Sequence, residues 1–345
     1  MNPFIFDAPV RRDDFFNRKE IMQETIFRLF DNTQSNVWLV GERQVGKTSF
    51  LQYMENNAYE NIKSFLHYGT QKELKPVFIY LNAQGFLDSD EFYYFLNYGL
   101  KSKFDIKQKQ KEQKSDSYEN FINNLLTKFD GGFYPVFLID EFDSMLETFA
   151  RANRGNFLNF IKRFNSTLES IWQRSQCPKC FGAVLAANST MDELLKNLNL
   201  DPTIGSGLAV RILNMEWFTE QQVKELADNY LQKSDIEFTQ KDIDICYKYT
   251  QGYPYFTQRM FSLMYENRSK PDEQEDFYKK IKKEFCKEFE NTIKEWGAEN
   301  MPELTIGKLK KLLKEIGDKL FDGVRKIIET SVEVGVKGFI KGASA

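Results

Sequence analysis

One histidine, His67, stands in 345 residues, so histidine-based triads and multi-histidine metal sites are excluded. Four cysteines form no periodic framework, which suits a reducing compartment better than a disulfide-stapled fold. Two of them, Cys177 and Cys180 in C-P-K-C, have the spacing of half a zinc site or a redox pair. No second pair follows, so a loop ahead of a strand is the ordinary reading. No uncharged apolar run reaches the roughly eighteen residues a membrane helix needs. The opening MNPFIFDAPVRRDD lacks the apolar stretch of a secretion signal, and a cytoplasmic protein is expected. A formal charge of −3 gives no general attraction for nucleic acid. What remains is chemistry built on carboxylates and lysine.

The chain is 41% hydrophobic and 28% charged, enough for real cores, and its length predicts two or three units. Asn36 to Phe50, NVWLVGERQVGKTSF, reads as a short apolar strand, a tight polar loop and a helix opening. The loop satisfies G-x-x-x-x-G-K-[ST] in full at Gly41, Gly46, Lys47 and Thr48. Glycine lets the backbone curl, so that N–H groups of Gly41, Glu42, Arg43, Gln44, Val45 and Gly46 turn toward phosphate oxygens. The helix opening at Lys47, Thr48 and Ser49 adds its positive end to the same anion site. Lys47 is expected on the β- and γ-phosphates and the Thr48 hydroxyl on Mg²⁺. The implied ligands are ATP or ADP with Mg²⁺.

Pro135 to Asp143, PVFLIDEFD, is an apolar run ending in adjacent carboxylates. Strands covered on both faces lack polar alternation, as here. Asp140 at the strand end is expected to hold Mg²⁺ opposite Thr48, and Glu141 to orient and deprotonate the attacking water. Together the two stretches read as a nucleotide hydrolysis site.

Further apolar runs at Val77–Leu81, Phe181–Ala187 and Ile212–Trp217 predict strands, separated by helical patterns that include 156–173 and one from Asp88 or Ser89 to about Phe104. The expected fold is α/β, a P-loop NTPase parallel sheet covered by helices. Lys101 to Ser117 is a lysine- and glutamine-rich stretch read as a solvated segment. Beyond Trp217 the strands stop, and Thr219 opens a T-E-Q-Q capping box. A second helix begins near Thr239, Gly252-Tyr253-Pro254 punctuates it, and a third runs to about Asn267. The predicted divisions are a leader over 1–35, an ATPase core over 36–217, a helical lid over 218–270, a long helix over 271–300 and an amphipathic tail over 301–345.

These residues together resemble prokaryotic P-loop ATPases of the STAND class, relatives of AAA+ proteins, over roughly Asn2 to Trp296. The leader matches the family's N-P-F…P-V…F-[FV]-G-R-E box at Asn2-Pro3-Phe4, Pro9-Val10 and Phe15 to Glu20, with Asn17 where the family has glycine. The resemblance implies adenine contacts from Val10 and Phe16, with Arg18 nearby. It places the sensor polar residue at Asn188, ahead of Ser189 or Thr190. Its lid signature matches Gly252 to Gln258, which puts Pro254 beside the nucleotide. It further implies a switch in which ATP favours assembly into a homo-oligomer and ADP holds the monomer shut. An arginine acting in trans falls to Arg211 ahead of Arg163, the ordinary role of each being a surface ion pair.

Residues 297–345 are too few for a large effector domain. The stretch from Thr305 carries nine Lys/Arg against five Asp/Glu on an amphipathic pattern. Docking on the ATPase or pairing with another tail is its first reading, and a protein partner or a membrane surface its second. Functionally, a switch in prokaryotic signalling or anti-phage defence leads. A DNA-handling AAA+ ATPase, origin-recognition-like or a transposition helper, is the alternative, with nucleic acid less favoured on charge. A nucleotide-gated scaffold without turnover is third, opposed by the intact Glu141.

Overall fold

A computed structural model describes residues 2–4, 6–10, 15–16, 18–30, 35–62, 75–104, 117–174, 181–205, 210–232, 234, 236–268, 274–296, 303–316, 321–326 and 328. They form two compact units: a core unit of Arg11–Arg43 with Lys47–Met215, and a helical unit of Met1–Val10, Gln44–Gly46 and Glu216–Ala345. The leader is thus divided between the two.

The core unit runs α1 (Lys19–Phe30), β1 (Asn36–Val40), α2 (Lys47–Ile62), β2 (Lys75–Asn82), α3 (Ser89–Lys103), α4 (Ser117–Asp130), β3 (Phe133–Asp140), α5 (Phe142–Ala152), α6 (Arg154–Arg174), β4 (Gly182–Ala187), α7 (Met191–Asn197) and β5 (Val210–Asn214). Its five strands lie in the order β2-β3-β4-β1-β5. Every pairing is parallel. Parallel neighbours need long crossovers, and the helices supply them. All residues of β1 and β4 are buried, as expected of central strands with both faces covered. The edge strand β5 exposes Arg211, Ile212 and Asn214.

The order of strands positions the site. β4 separates the phosphate-loop strand β1 from the acidic strand β3, with Val40 level with Ala187 and Ile139 level with Leu185. The residues just past the ends of β1, β4 and β3 therefore converge at one edge, where ligands bind in open α/β sheets. Beneath it an aromatic cluster fills the core. Phe92 meets Phe160 edge-on at 5.4 Å and Phe164 at 5.9 Å, and Phe142 meets Trp38 at 5.6 Å.

The acidic strand begins at Phe133, ahead of the expected Pro135, and ends at Asp140 as its sequence predicts. Phe142, Met145, Leu146 and Phe149 recur at helical spacing and bury one face of α5. The fifth strand is Val210–Asn214 rather than Ile212–Trp217, so Arg211 lies inside it. Cys177 and Cys180 lie outside the described residues, as does most of the segment 101–117.

The helical unit comprises α8 (Glu220–Leu231), α9 (Gln240–Thr250), α10 (Pro254–Arg268), α11 (Gln274–Trp296) and α12 (Glu303–Ile316). Thr219 with Gln222, and Thr239 with Asp242, form capping boxes at the starts of α8 and α9. Asp242 is fully buried and accepts from Arg268 Nη2 at 2.8 and 2.7 Å and from the Tyr278 hydroxyl at 2.9 Å. Between α9 and α10, Gly252 has φ +78°, and a Cβ there would stand 1.8 Å from the Phe218 carbonyl oxygen. Only glycine fits. Pro254 opens α10, where its missing N–H costs nothing. The leader docks here: Asn2 donates to Ser262 Oγ and Glu266 Oε1 at 2.8 Å each. Phe4 is buried among Tyr230, Phe238 and Phe261. The tail docks on the same unit, with Leu309, Leu312 and Leu313 buried and Phe321 stacked on Tyr249 at 5.9 Å.

Candidate functional site

The loop Gly41–Gly46 leaves β1 and enters α2 through a turn that needs two positive φ angles, Gln44 at 58° and Gly46 at 104°. Among the described residues no atom lies within 4 Å of where a Cβ on Gly46 would stand. Gly41 N–H bonds the Ala187 carbonyl at 3.2 Å, which ties the loop's first residue to the end of β4. Glu42, Val45 and Ser49 are buried, while Arg43 and Gln44 are exposed.

Lys47 is buried beneath the loop and uses all three ammonium protons. It donates to the Gly41 carbonyl at 2.7 Å, the Glu42 carbonyl at 3.0 Å and Asn188 Oδ1 at 2.9 Å. Burial pulls its pKa below the usual lysine range, against the opposing charges of Asp143, Glu141, Asp140 and Glu42.

Thr48 Oγ1 donates to Asp140 Oδ2 at 2.7 Å, and the Tyr80 hydroxyl donates to the same oxygen at 3.0 Å. Burial and the Asp140 charge push Tyr80 well above the ordinary tyrosine value. Asp140 Oδ1 accepts the Glu141 N–H at 3.1 Å, so both carboxylate oxygens are fixed. Glu141 itself sits at φ 54°, ψ 37°, a left-handed conformation rare for a non-glycine residue, and gives α5 no side-chain cap. Its Oε2 accepts from Ser144 Oγ at 3.2 Å, and burial raises its pKa. A partly desolvated carboxylate with a raised pKa is the form a general base takes.

At the end of β4 the structure distributes the polar trio. Asn188 faces Lys47, the Ser189 carbonyl accepts the Trp38 indole N–H at 3.0 Å, and Thr190 caps α7 with Glu193 as its box partner. Asn188 is itself held by Asp143, a residue that motif reading passed over. Phe16 and Arg18, both half-buried, precede α1 in the core unit. Val10 and Pro254 belong to the helical unit. Arg211 sits at the start of β5, level with Val37, at the strand end away from the phosphate loop. Arg163 lies on α6 with its guanidinium 5.0 Å over the Tyr118 ring. Neither arginine is brought to the loop within one chain.

The donor set fits a hard divalent cation. A hydroxyl and a carboxylate at one point suit Mg²⁺, which keeps waters and takes its other ligands from substrate phosphates rather than from a protein cage. No group of three or more His, Cys, Asp or Glu side chains placed to hold a metal occurs among the described residues. The residues that would hold Mg²⁺ are Thr48 and Asp140.

The lysine-bearing loop after β1 and the acidic pair after β3 both fall within a family match. Residues 31–195 match the model described as an AAA domain. The fold is a P-loop NTPase fold. Solved structures share it along most of this chain. The Walker-type ATPase PABY2304 of Pyrococcus abyssi is similar at TM-score 0.60 and 13% identity, covering 96% of this chain and 99% of its own. The ORC2 protein of Aeropyrum pernix, in ADPNP–ADP complexes, gives TM-score 0.54 at 13% identity, covering 94% and 98%. The ORC1 protein of Aeropyrum pernix, in complex with DNA, gives 0.53 at 14%, covering 91% and 79%. At such identities the fold alone is shared. No curated protein matches this chain. Among the described residues no helix is long and apolar enough to cross a membrane.

Proposed function

We propose that the protein is a Mg-ATP-dependent ATPase that works as a STAND-like switch. Gly41 to Ser49 bind the phosphates, Lys47 neutralises their charge, and Glu141 orients and deprotonates water. Asn188 senses the γ-phosphate. Thr48 and Asp140 would hold Mg²⁺, which would supply charge neutralisation when bound. The observation that carries the reading is the link from Lys47 Nζ to Asn188 Oδ1 at 2.9 Å, beside the Thr48–Asp140 bond at 2.7 Å. Phosphate oxygens arriving at Lys47 compete with Asn188 for its protons, so nucleotide state is coupled to the end of β4. Only contacts that differ between ATP and ADP shift the population of states. ATP-dependent homo-oligomerisation, completed by Arg211 in trans, is the proposed output, in prokaryotic signalling or anti-phage defence. Val10, Phe16, Arg18 and Pro254 are proposed around the base.

The experiment pairs two variants. Lys47→Ala should weaken ATP and ADP binding by about tenfold or more in titration calorimetry. Glu141→Gln should keep affinity and lose about 100-fold or more in turnover, the usual worth of a positioned base. The solution mass of Glu141→Gln, measured by light scattering, should rise with Mg-ATP and not with Mg-ADP. Wild-type affinity in Lys47→Ala sinks the site assignment; an unchanged mass in both nucleotides sinks the assembly.

A second reading has its own support. The ORC1 protein of Aeropyrum pernix, whose fold this chain shares, is in complex with DNA. An origin-recognition-like protein would bind duplex DNA with an affinity falling steeply in log[salt], because phosphate contacts release counterions. Fluorescence anisotropy at two salt concentrations separates the two readings.

A further inference from the structure

Asp143 stands on the first turn of α5, beyond the acidic pair, and is 5% exposed. Its Oδ2 accepts two hydrogen bonds from one residue: the Asn188 backbone N–H at 2.8 Å and the Asn188 side-chain Nδ2 at 3.2 Å. The opposite end of that amide, Oδ1, accepts from Lys47 Nζ at 2.9 Å. An amide is nearly symmetric in shape, and its orientation is set by its hydrogen-bond partners. A carboxylate facing it offers acceptors, so the NH₂ must turn toward Asp143 and the oxygen toward the ammonium. Without Asp143, nothing among these contacts distinguishes the amide's two ends except Lys47 itself. Asp143 Oδ1 is buried and takes no hydrogen bond among the described residues, so this side chain serves no competing network through its second oxygen.

We infer that Asp143 is a positioning residue, which fixes the Asn188 amide so that its oxygen meets the Lys47 ammonium and its remaining N–H is presented to the nucleotide. The inference deepens the ATPase reading above and rests on it for its kinetic part. Positioning of this kind acts on turnover more than on ground-state affinity, because the loop N–H groups and Lys47 still bind phosphate without it. A purely structural Asp143, pinning only the backbone at Asn188, would be blind to what the Asn188 side chain is.

Two measurements decide. In the ligand-free protein, the side-chain amide signals of Asn188 in a ¹⁵N-resolved spectrum are identified by their loss in Asn188→Ala. They should show two well-separated proton shifts that move toward each other in Asp143→Ala. Unchanged Asn188 signals in Asp143→Ala overturn the inference. In turnover assays, Asp143→Ala should lose about 100-fold in kcat, the scale of an ångström-level misplacement, with ADP affinity held within about threefold. The double variant Asp143→Ala with Asn188→Ala should be no slower than Asn188→Ala alone, since the two act as one unit. Additive losses, or an affinity loss with kcat intact, overturn it.

Should Asp143→Ala fail to fold, the exchange of the two residues still answers. Asn188→Asp alone sets two carboxylates face to face. Asp143→Asn with Asn188→Asp restores an NH₂ opposite a carboxylate and keeps an oxygen on Lys47. The exchanged protein should therefore turn over about tenfold faster than Asn188→Asp. No recovery overturns the inference. A wild-type protein that neither binds nor hydrolyses ATP defeats the ATPase reading, while the amide signals still decide for or against Asp143.

Discussion

Replacing Gly252 by alanine tests how tightly the turn between α9 and α10 is specified. Gly252 and Gly85 share a left-handed backbone, φ +78° and +88°, but not their surroundings. Around Gly85 nothing among the described residues lies within 4 Å of an added Cβ, whereas at Gly252 the Phe218 oxygen stands 1.8 Å away and its carbonyl carbon 2.7 Å away. A side chain in the left-handed region costs about 1–2 kcal/mol, and this is the whole expected loss for Gly85→Ala. For Gly252→Ala an overpacking strain of about 1–3 kcal/mol is added. The Phe218 N–H bond to the Gly252 carbonyl, 2.8 Å long, is then displaced, for about 1 kcal/mol more. The sum is about 3–6 kcal/mol, a large part of the roughly 5–15 kcal/mol that holds a domain folded. In scanning calorimetry, with each variant read on its own unit's transition, Gly252→Ala should lower Tm by about 10 °C or more and Gly85→Ala by about 5 °C or less. Equal shifts would refute steric overlap as the cause.

Phe4→Ala removes a ring buried at 4% exposure and should cost the helical unit about 3–4 kcal/mol, read by urea unfolding; a loss under about 1 kcal/mol would mean that the leader does not hold this unit together. Arg268→Met strips the fully buried Asp242 of its cation and should cost about 2 kcal/mol, since Thr239 and Tyr278 still donate to it. Arg325→Met loses an ion pair to Asp322, 62% exposed, and a bond to the Leu313 carbonyl, and should cost about 1 kcal/mol or less. A larger effect at Arg325 than at Arg268 would reverse the assigned importance of the two pairs.

What could be read from the sequence follows where its determinants lie. The phosphate loop, the acidic strand end and the capping boxes at Thr219 and Thr239 are local patterns, and each appears where its residues predict. The helix after Asp140 is hidden because it has no cap: Glu141 is left-handed, and its side chain makes no cap bond. The ends of the fifth strand are hidden because an edge strand is half exposed, and V-R-I-L-N offers little apolar contrast to fix them. The parallel order of the strands fixes why Asn188 meets Lys47, but Asp143 became visible only with the geometry. Its role depends on a bond spanning 45 residues that no spacing rule encodes. Docking of Phe4 on the helical unit is equally non-local.

The bond from Asn2 to Ser262 closes a loop of 260 residues. Translation makes the two ends of that loop far apart in time. α8 to α10 emerge after the whole core unit, yet part of their apolar filling, Phe4, left the ribosome first. Long closures of this kind slow folding and leave apolar surface waiting for its partner. The early-made Phe4 must therefore remain uncommitted while the sheet assembles, and the late helices are completed by a segment that has been held in reserve. An affinity tag fused ahead of Asn2 would burden the carboxyl-terminal helices, far away in sequence, before it burdened the sheet.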